Sequence, residues 1–457
     1  MAEGVSVGRP SGSLRKILVP LALAQFICSF AGSNMNVMIN DISKDLDTTV
    51  EGVQTAITVF LLVMAALMIP AGKLTDRWGR KRCFTAGLIV YGIGALMSAV
   101  SPGLGFLILG NSIFEGVGTA LLIPPVYILT TMLFSDVTSR ARAFGVIAGM
   151  GGVGAAAGPL IGGVIATAIS WRAAFVFQAA IVAVIIFLSR SIVDPVAPDP
   201  TRPFDILGAV LSAVGLVSVV MGILQADTNL GLMVVLVAVG ALILTLFFLH
   251  IRARERRGEE PLLSTQLFRN RISNLGLVTQ NVQWLLLIGT SFVVSAFLQV
   301  VRGYNAIQTG VIFTSATAGI LASSLAAERL AKKYPQRTLI LVGFVATIAG
   351  IGVLLAISAW AFAPGLLLIG LGVGVMLTPS VNVVQSAFGE ELQGEISGLS
   401  RSVSNLGSSL GAAVAGTILV SNIGDKSYAA AMIVLACIGV VGLGATLLLP
   451  AQRVQRS

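Results

Sequence analysis

One acidic side chain, Glu115, lies in the middle of a long apolar run, where a carboxyl group could carry a proton or bind a cation. The other acids of the chain fall in polar segments or within a turn or two of the end of an apolar run. An ionised carboxylate at the centre of a bilayer costs about 2.5 to 3.5 kcal/mol. A protein accepts that cost where the group faces a wet cavity or stays protonated. The alternative for Glu115 is a protonated carboxyl, hydrogen-bonded between helices.

Several amide and hydroxyl side chains in the apolar runs are candidates for a substrate cavity. An amide in lipid must find a hydrogen-bonding partner, so a bond between neighbouring helices is the simplest alternative role. The candidates are Asn34, Asn36, Asn111, Ser112, Gln280 and Asn281.

The stretch GAAAGPLIGG suggests a mechanical role. Gly154, Gly158 and Gly162 are four residues apart, so they share one helix face that another backbone can approach closely. Pro159 removes a helix hydrogen bond and permits a bend. We expect this face to help two halves of the protein rock against each other; ordinary tight packing is the alternative.

The composition requires lipid around most of the surface. Of 457 residues, 56% are hydrophobic and 11% are charged, whereas a soluble domain carries about 25% charged residues. A window of about 20 apolar residues, the length that crosses a bilayer, predicts fourteen spans. They lie at about 17–40, 53–72, 83–100, 104–127, 143–166, 172–189, 205–224, 229–250, 273–300, 307–327, 338–358, 363–386, 397–420 and 428–449.

The basic residues orient these spans. With the N-terminus in the cytoplasm, 25 of the 29 Lys and Arg residues fall on the cytoplasmic side, as the positive-inside rule requires. The stretch GKLTDRWGRKR, residues 72–82, supplies five of them. The net charge of +9 is therefore explained by membrane topology rather than by nucleic-acid binding. Both termini are expected in the cytoplasm.

A weak internal repeat divides the chain. RLAKKYPQRTLI, residues 329–340, aligns with KLTDRWGRKRCF, residues 73–84, and each follows the second span of a six-span block. We expect an N-terminal bundle at 1–190, two inserted spans with their linkers at 191–271, and a C-terminal bundle at 272–457. Parallel repeats of this kind underlie one class of secondary transporter.

Two motifs of enzymatic chemistry are absent from the sequence. It contains no G-x-x-x-x-G-K-[ST] phosphate loop and no H-E-x-x-H. We expect no enzyme, no cofactor and no metal site, and an energy source in an ion gradient or in an ATPase on another chain.

The chain resembles the major facilitator superfamily, and within it the fourteen-span drug:proton antiporter branch. GKLTDRWGRKR matches the superfamily's loop motif between spans 2 and 3, and GAAAGPLIGG fits the antiporter motif of span 5. GNSIFEGVGTALLIPP is similar to the span 4 segment of that branch. In this superfamily the first helix of each half lines the cavity, which favours Asn34, Asn36, Gln280 and Asn281 as binding residues.

Two spans depart from the family pattern. Ala31 stands where members that export cations often carry an aspartate, and Ser112 stands where span 4 is expected to carry an arginine. Glu115 occupies the place of a glutamine. The family's proton relay therefore cannot be transferred position by position.

The resemblance also implies a role for the loop motif as a cytoplasmic gate, formed by Gly72, Asp76, Arg77, Gly79 and Arg80. Asp76 would reach a helix N-terminus or a cation in the other half. Gly72 and Gly79 would let the chain leave and re-enter helix tightly.

Together these features predict an all-α integral membrane protein with the major facilitator fold, two six-helix bundles and two inserted helices. The expected activity is proton-coupled efflux of hydrophobic or amphipathic small molecules by a monomer in the cytoplasmic membrane. The alternatives are a transporter of lipids, metabolites or amino acids, including an importer, and a transport-inactive receptor or scaffold. Neither the substrate nor the role of spans 7 and 8 follows from the sequence.

Overall fold

The computed structural model describes residues 11–134, 137–194, 197–201, 203–226, 228–331, 333–389, 392–420 and 424–450. Over these residues the secondary structure is helical. Its α-helices are α1 (Ser11–Asn34), α2 (Ile39–Asp45), α3 (Val50–Trp78), α4 (Arg80–Ala99), α5 (Leu104–Leu107), α6 (Gly116–Leu133), α7 (Val137–Ala168), α8 (Trp171–Ser189), α9 (Ile206–Ile223), α10 (Leu230–Arg256), α11 (Arg271–Ala296), α12 (Ala306–Ala331), α13 (Gln336–Leu354), α14 (Ala359–Gln385), α15 (Gln393–Val420) and α16 (Asp425–Leu447).

Four short segments depart from α-helical geometry. Met35–Met38 and Thr265–Phe268 are 3₁₀ turns, and Ile108–Glu115 and Phe297–Val301 are π-helical. The two π segments lie inside predicted spans 4 and 9. A π segment adds a residue to the turn and is frequent at functional sites. These two segments are therefore candidates for functional positions.

Helix starts coincide with short polar side chains that accept a backbone N–H. Asp205 accepts from the Gly208 N–H at 2.9 Å, and Asn229 from the Leu232 N–H at 2.9 Å. Thr49, Ser170 and Asn270 do the same for α3, α8 and α11. These caps satisfy donors that a helix leaves open at its start, so they mark the boundaries between spans.

The fourteen predicted spans correspond to helices of the structure. Within the described residues, thirteen helices are long and apolar enough to cross a membrane. The fourteenth, α15, has 28 residues and a more polar sequence. The chain is therefore a multi-pass membrane protein.

The helix packing repeats between the two halves. In the first half α7 packs along α1, and in the second half α15 packs along α11. Across the halves α3 packs on α15, and α12 packs on α7. When spans 1–6 are matched with spans 9–14, α3 corresponds to α12 and α7 corresponds to α15. The contact of α3 with α15 therefore corresponds to the contact of α12 with α7.

The inserted helices α9 and α10 pack on each other, and α9 also lies against α3 and α15. The side chain of Asp205, at the start of α9, connects this pair of helices to the linker that follows α10. It accepts hydrogen bonds from His250 of α10 at 2.8 Å and from the Leu262 N–H of the linker at 3.2 Å. Burial raises the pKa of Asp205, but the bonds from His250, the Gly208 N–H and the Leu262 N–H outweigh it and hold the pKa below its usual value. Asp205 is therefore ionised at neutral pH.

Candidate functional site

The helix bundle has two ends that differ in charge. The basic end contains the α3–α4 turn at Gly79 and the start of α15, and the opposite end contains the α2–α3 connection and the start of α8. Lys73 of α3 contacts Glu395 of α15 at the basic end, and Arg172 of α8 pairs with Asp45 of α2 at the opposite end.

Glu115 is fully buried inside the N-terminal bundle. One carboxylate oxygen accepts a hydrogen bond from the Ser98 hydroxyl of α4 at 3.4 Å, and the other has no hydrogen-bonding partner. The Tyr91 hydroxyl, which donates to Gln178 of α8, is close to the carboxylate. Among the described side chains no cation forms an ion pair with Glu115. The acid thus faces span 3 rather than the second half of the protein.

Asn111 and Ser112 precede Glu115 in the π segment of span 4. The Ser112 hydroxyl donates to the Ala56 carbonyl of α3 at 2.7 Å. The Asn111 side chain is buried, and its Nδ2 has no partner. The segment therefore carries polar groups toward both α3 and α4.

Asn34 and Asn36 lie near the opposite end, where α1 gives way to the 3₁₀ turn. The Asn36 carbonyl accepts from the Ser295 hydroxyl and from Gln299 Nε2, the latter at 2.8 Å. Gln299 belongs to the π segment of span 9, and its Oε1 accepts from the Asn40 N–H at 3.1 Å. Asn34 is buried with both amide atoms unpartnered. These bonds join the first helices of the two halves at this end.

Other contacts between the halves also lie toward the opposite end. Gln54 Nε2 of α3 donates to the Ala412 carbonyl of α15 at 3.1 Å. Thr167 of α7 accepts from the Ile307 N–H of α12 at 3.2 Å. The opposite end is therefore held together by direct hydrogen bonds between the halves.

Gln280 and Asn281 lie at the α11–α15 contact inside the second half. Gln280 Oε1 accepts from the Ser400 hydroxyl at 2.8 Å, and Asn281 Nδ2 donates to the Val403 carbonyl at 3.0 Å. The candidate cavity residues therefore do not form a single cluster. They are distributed over the α3–α6 contact, the α1–α11 contact and the α11–α15 contact.

The glycine face of α7 packs tightly inside its own half, and its role in rocking of the halves stays a prediction. A side chain at Gly154 would meet the Phe26 backbone, one at Gly158 would meet Ser33 and Phe30, and one at Gly162 would meet Asn34. All of these belong to α1. The contact between the halves uses another part of the motif: Gly310 of α12 approaches the Pro159 carbonyl.

The counterpart glycines of the second half behave in the same way. A side chain at Gly407 would meet the Asn281 backbone, and one at Gly411 would meet the Leu285 backbone, both in α11. The four-residue spacing thus serves the contact of span 5 with span 1 and of span 13 with span 9.

Gly154→Ala should lower the stability of the protein, because its methyl group would press on the Phe26 carbonyl and force α1 to shift. Overpacking of this kind costs about 1–3 kcal/mol. Thermal unfolding of the purified protein in detergent measures the effect as a lower midpoint temperature. Gly152→Ala is the matched control, since open space surrounds Gly152. Equal midpoints for the two variants would contradict the assigned packing.

The loop motif forms a turn at one glycine only. Gly79 has φ +96° and separates α3 from α4, as expected for a tight re-entry into helix. Gly72 lies within α3, so the expectation that the helix ends there is wrong. The side chain of Asp76 lies outside the described residues.

Other charged side chains of the motif contact neighbouring segments. Arg80 is buried at the start of α4, and Arg77 lies in the last turn of α3. The Lys81 N–H donates to Asp194 at 3.2 Å, which ties the turn to the end of span 6. Lys73 lies between two carboxylates, Glu395 of α15 at 3.0 Å and Glu260 of the α10–α11 linker at 3.2 Å. A cation of this motif therefore contacts the second half.

One functional candidate was missed in the sequence because its charge was counted with the cytoplasmic segments. Arg401 lies inside α15, and its guanidinium contacts Tyr127 of α6 by a hydrogen bond and by a ring contact at 5.1 Å from the centroid. The Tyr127 hydroxyl donates to Gln25 of α1 at 3.2 Å. The position of Arg401 within the predicted span 397–420 was the available signal.

Helix pairing that repeats along the chain, with polar and charged side chains buried between apolar spans, is typical of secondary transporters. The chain belongs to the Major Facilitator Superfamily, whose family model matches residues 21–412 and 282–457.

Two of the proteins that are similar to this chain are resistance proteins. The puromycin resistance protein pur8 of Streptomyces alboniger is 28% identical over 88% of this chain and 81% of its own. The multidrug resistance protein Stp of Mycobacterium tuberculosis is 26% identical over 88% of this chain and 75% of its own.

Solved structures share the fold at low identity. A peptide transporter POT in complex with sulfate superposes with a TM-score of 0.69 at 18% identity, over 98% of this chain and 95% of that one. A POT family transporter in complex with a thioalcohol conjugated peptide gives a TM-score of 0.71 at 14% identity, over 97% and 96%.

Proposed function

We propose that this protein is a proton-coupled efflux transporter of hydrophobic or amphipathic compounds, of the fourteen-span drug:proton antiporter branch. The observation that carries the proposal is the family membership together with the resistance proteins among its relatives. It would act as a monomer in the cytoplasmic membrane, with both termini in the cytoplasm and the basic end facing inward.

Alternating access fits the contacts between the halves. Hydrogen bonds join the halves at the opposite end, through Asn36 and Gln299 and through Gln54 and Ala412. At the basic end, ionic side chains connect α3 to α15. Ionic contacts between side chains can separate in water more readily than close-packed backbone contacts, because water solvates the separated charges. Substrate would therefore enter from the basic end and leave after the opposite end opens.

Glu115 is the proposed proton carrier. It is the acid buried in span 4, and one of its carboxyl oxygens has no hydrogen-bonding partner among the described residues. A proton can therefore bind to that oxygen without displacing a hydrogen bond. Its location in a π segment offers a means of exposure, since this geometry can revert to α-helix and rotate the side chain.

Dye accumulation in cells tests the proposal. Cells that produce the protein should accumulate less rhodamine 6G, fluorescein diacetate-derived fluorescein, or both than cells carrying an empty vector. A protonophore should raise accumulation to the level of the vector cells. Higher accumulation than in vector cells would indicate an importer, and no difference for either dye would contradict the proposed efflux function.

A further inference from the structure

Arg401 is a cation placed between the two halves of the protein. It is partly buried in α15, and it contacts Tyr127 of α6 through both its guanidinium N–H and the face of the ring. Tyr127 in turn donates to Gln25 of α1 at 3.2 Å. One arginine of the second half thus contacts α6 of the first half directly and is connected to α1 through Tyr127.

The other faces of α15 are occupied by helices. Ser400 and Val403 contact α11, whereas Ser402 and Ser409 donate to carbonyls of α3. At about 100° per residue, Arg401 and the residue four positions later, Asn405, share a third face. That face is directed toward α6 and α1.

This third face carries a polar group that lacks a partner among the described residues. Asn405 Nδ2 is buried without a hydrogen-bonding partner. Within the described part of the chain no carboxylate pairs with Arg401, and the acid of span 4, Glu115, is directed toward α4. A partly buried guanidinium is stabilised when an anion pairs with it. Its planar fork of donors matches a carboxylate or phosphate.

We propose that Arg401 and Asn405 form an anion subsite between the two halves, so that the transported compounds carry an acidic group on an apolar or aromatic body. The Arg401 guanidinium would bind the acidic group, Asn405 would donate a second hydrogen bond, and the Tyr127 ring would contact the body. This inference rests on the proposed transport function and specifies the substrate class for it.

Two xanthene dyes of similar size distinguish the charge requirement. Fluorescein carries a carboxylate, whereas rhodamine 6G is an esterified cation. Binding to the purified protein is measured by fluorescence anisotropy, and transport is measured in proteoliposomes with an imposed pH gradient. We expect Arg401→Gln to weaken fluorescein binding and raise its KM about tenfold, the loss of one charge-assisted contact worth about 1.4 kcal/mol. Rhodamine 6G should not lose affinity.

Three further variants separate an anion site from a structural contact. Arg401→Lys should recover part of the fluorescein affinity, because it restores the charge without the fork. Tyr127→Phe removes the hydroxyl that Arg401 contacts but leaves the cation, so fluorescein binding should persist. Arg190→Gln is the matched control: Arg190 lies over the Phe187 ring at 5.2 Å, exposed at the end of α8.

The outcomes are distinct. Equal losses in Arg401→Gln and Tyr127→Phe would show that Arg401 only ties α15 to α6, and would overturn the inference. Unchanged fluorescein binding in Arg401→Gln would also overturn it, and gradient-driven rhodamine 6G transport would then leave the proposed function standing. If the wild type transported neither dye in response to the pH gradient, the proposed proton-coupled efflux would instead be rejected.

Discussion

Replacing Glu115 with glutamine should abolish the dependence of transport on the proton gradient while leaving the protein folded and in the membrane. Glutamine keeps the shape of the side chain and an oxygen that can accept from the Ser98 hydroxyl, now at 3.4 Å. It cannot take up or release a proton. A carrier with this change should therefore still exchange substrate across the membrane, but it should not concentrate it.

Proteoliposomes measure the two activities separately. A gradient of one pH unit stores about 1.4 kcal/mol per proton, which supports up to about a tenfold accumulation of substrate. The wild type should reach a substantial part of that ratio, whereas Glu115→Gln should equilibrate dye with or without the gradient. Counterflow of preloaded dye should remain measurable in the variant.

The matched control makes the same chemical change at another acid. Glu51 lies in the first turn of α3 at the opposite end, and Glu51→Gln should retain gradient-driven accumulation. If Glu115→Gln also retained it, with the same dependence on pH as the wild type, Glu115 would be a structural hydrogen-bonding group between α4 and α6.

Hydropathy and charge predicted the spans because lipid imposes a simple requirement on each of them. Every helix that crosses a bilayer must satisfy its backbone internally and present apolar side chains to lipid. The boundaries at Gly79 and Asp205 also follow local rules, a positive φ at the first and a helix cap at the second. These features depend on neighbouring residues along the chain.

The surroundings of Glu115 could not be predicted in this way. Its depth in span 4 follows from its position in the apolar run, but the direction of its side chain depends on the π segment Ile108–Glu115. The additional residue in a π turn changes the phase of the helix, so a continuous period of 3.6 residues assigns the wrong face. Packing between helices, rather than local sequence, selects that geometry.

The glycine motif and Arg401 show the same limit in different forms. Spacing by four residues predicts that a backbone comes close to Gly154 and Gly158, but it does not identify the backbone as that of α1. The positive-inside rule counts Arg401 as one cation and contains no information about its contact with Tyr127. In both cases the partner is distant in sequence and is brought close by the fold.

Removing the cation of Lys73 should shift the protein toward conformations in which the basic end is open. Lys73 Nζ lies 3.0 Å from Glu395 and 3.2 Å from Glu260, with 20% of its side chain exposed. Glu395 also accepts from the Ser264 N–H at 2.8 Å. This set connects α3 of the first half to α15 of the second and to the linker that follows the inserted helices. Lys73→Met would remove the cation that lies between these two carboxylates.

A double-mutant cycle tests whether the three charges act together. Glu395→Gln retains an acceptor for the Ser264 N–H but removes one negative charge, so adding it to Lys73→Met should relieve the repulsion. Contacting residues of this kind interact by about 0.5–3 kcal/mol, and about 1.4 kcal/mol would change the ratio of open to closed conformations roughly tenfold. Lys81→Met is the control, because Lys81 donates to the Arg190 carbonyl within the first half.

Spin labels report the two conformations directly. Trp78 and Tyr334, both exposed at corresponding turns of the two halves, can carry the labels once Cys28, Cys83 and Cys437 have been replaced. Lys73→Met should enrich the longer label-to-label distance, and the double variant should return the distribution toward that of the wild type, because removing one of the two carboxylates relieves most of the repulsion. A distance distribution unchanged by Lys73→Met would mean that these ion pairs are surface contacts with no part in holding the basic end closed.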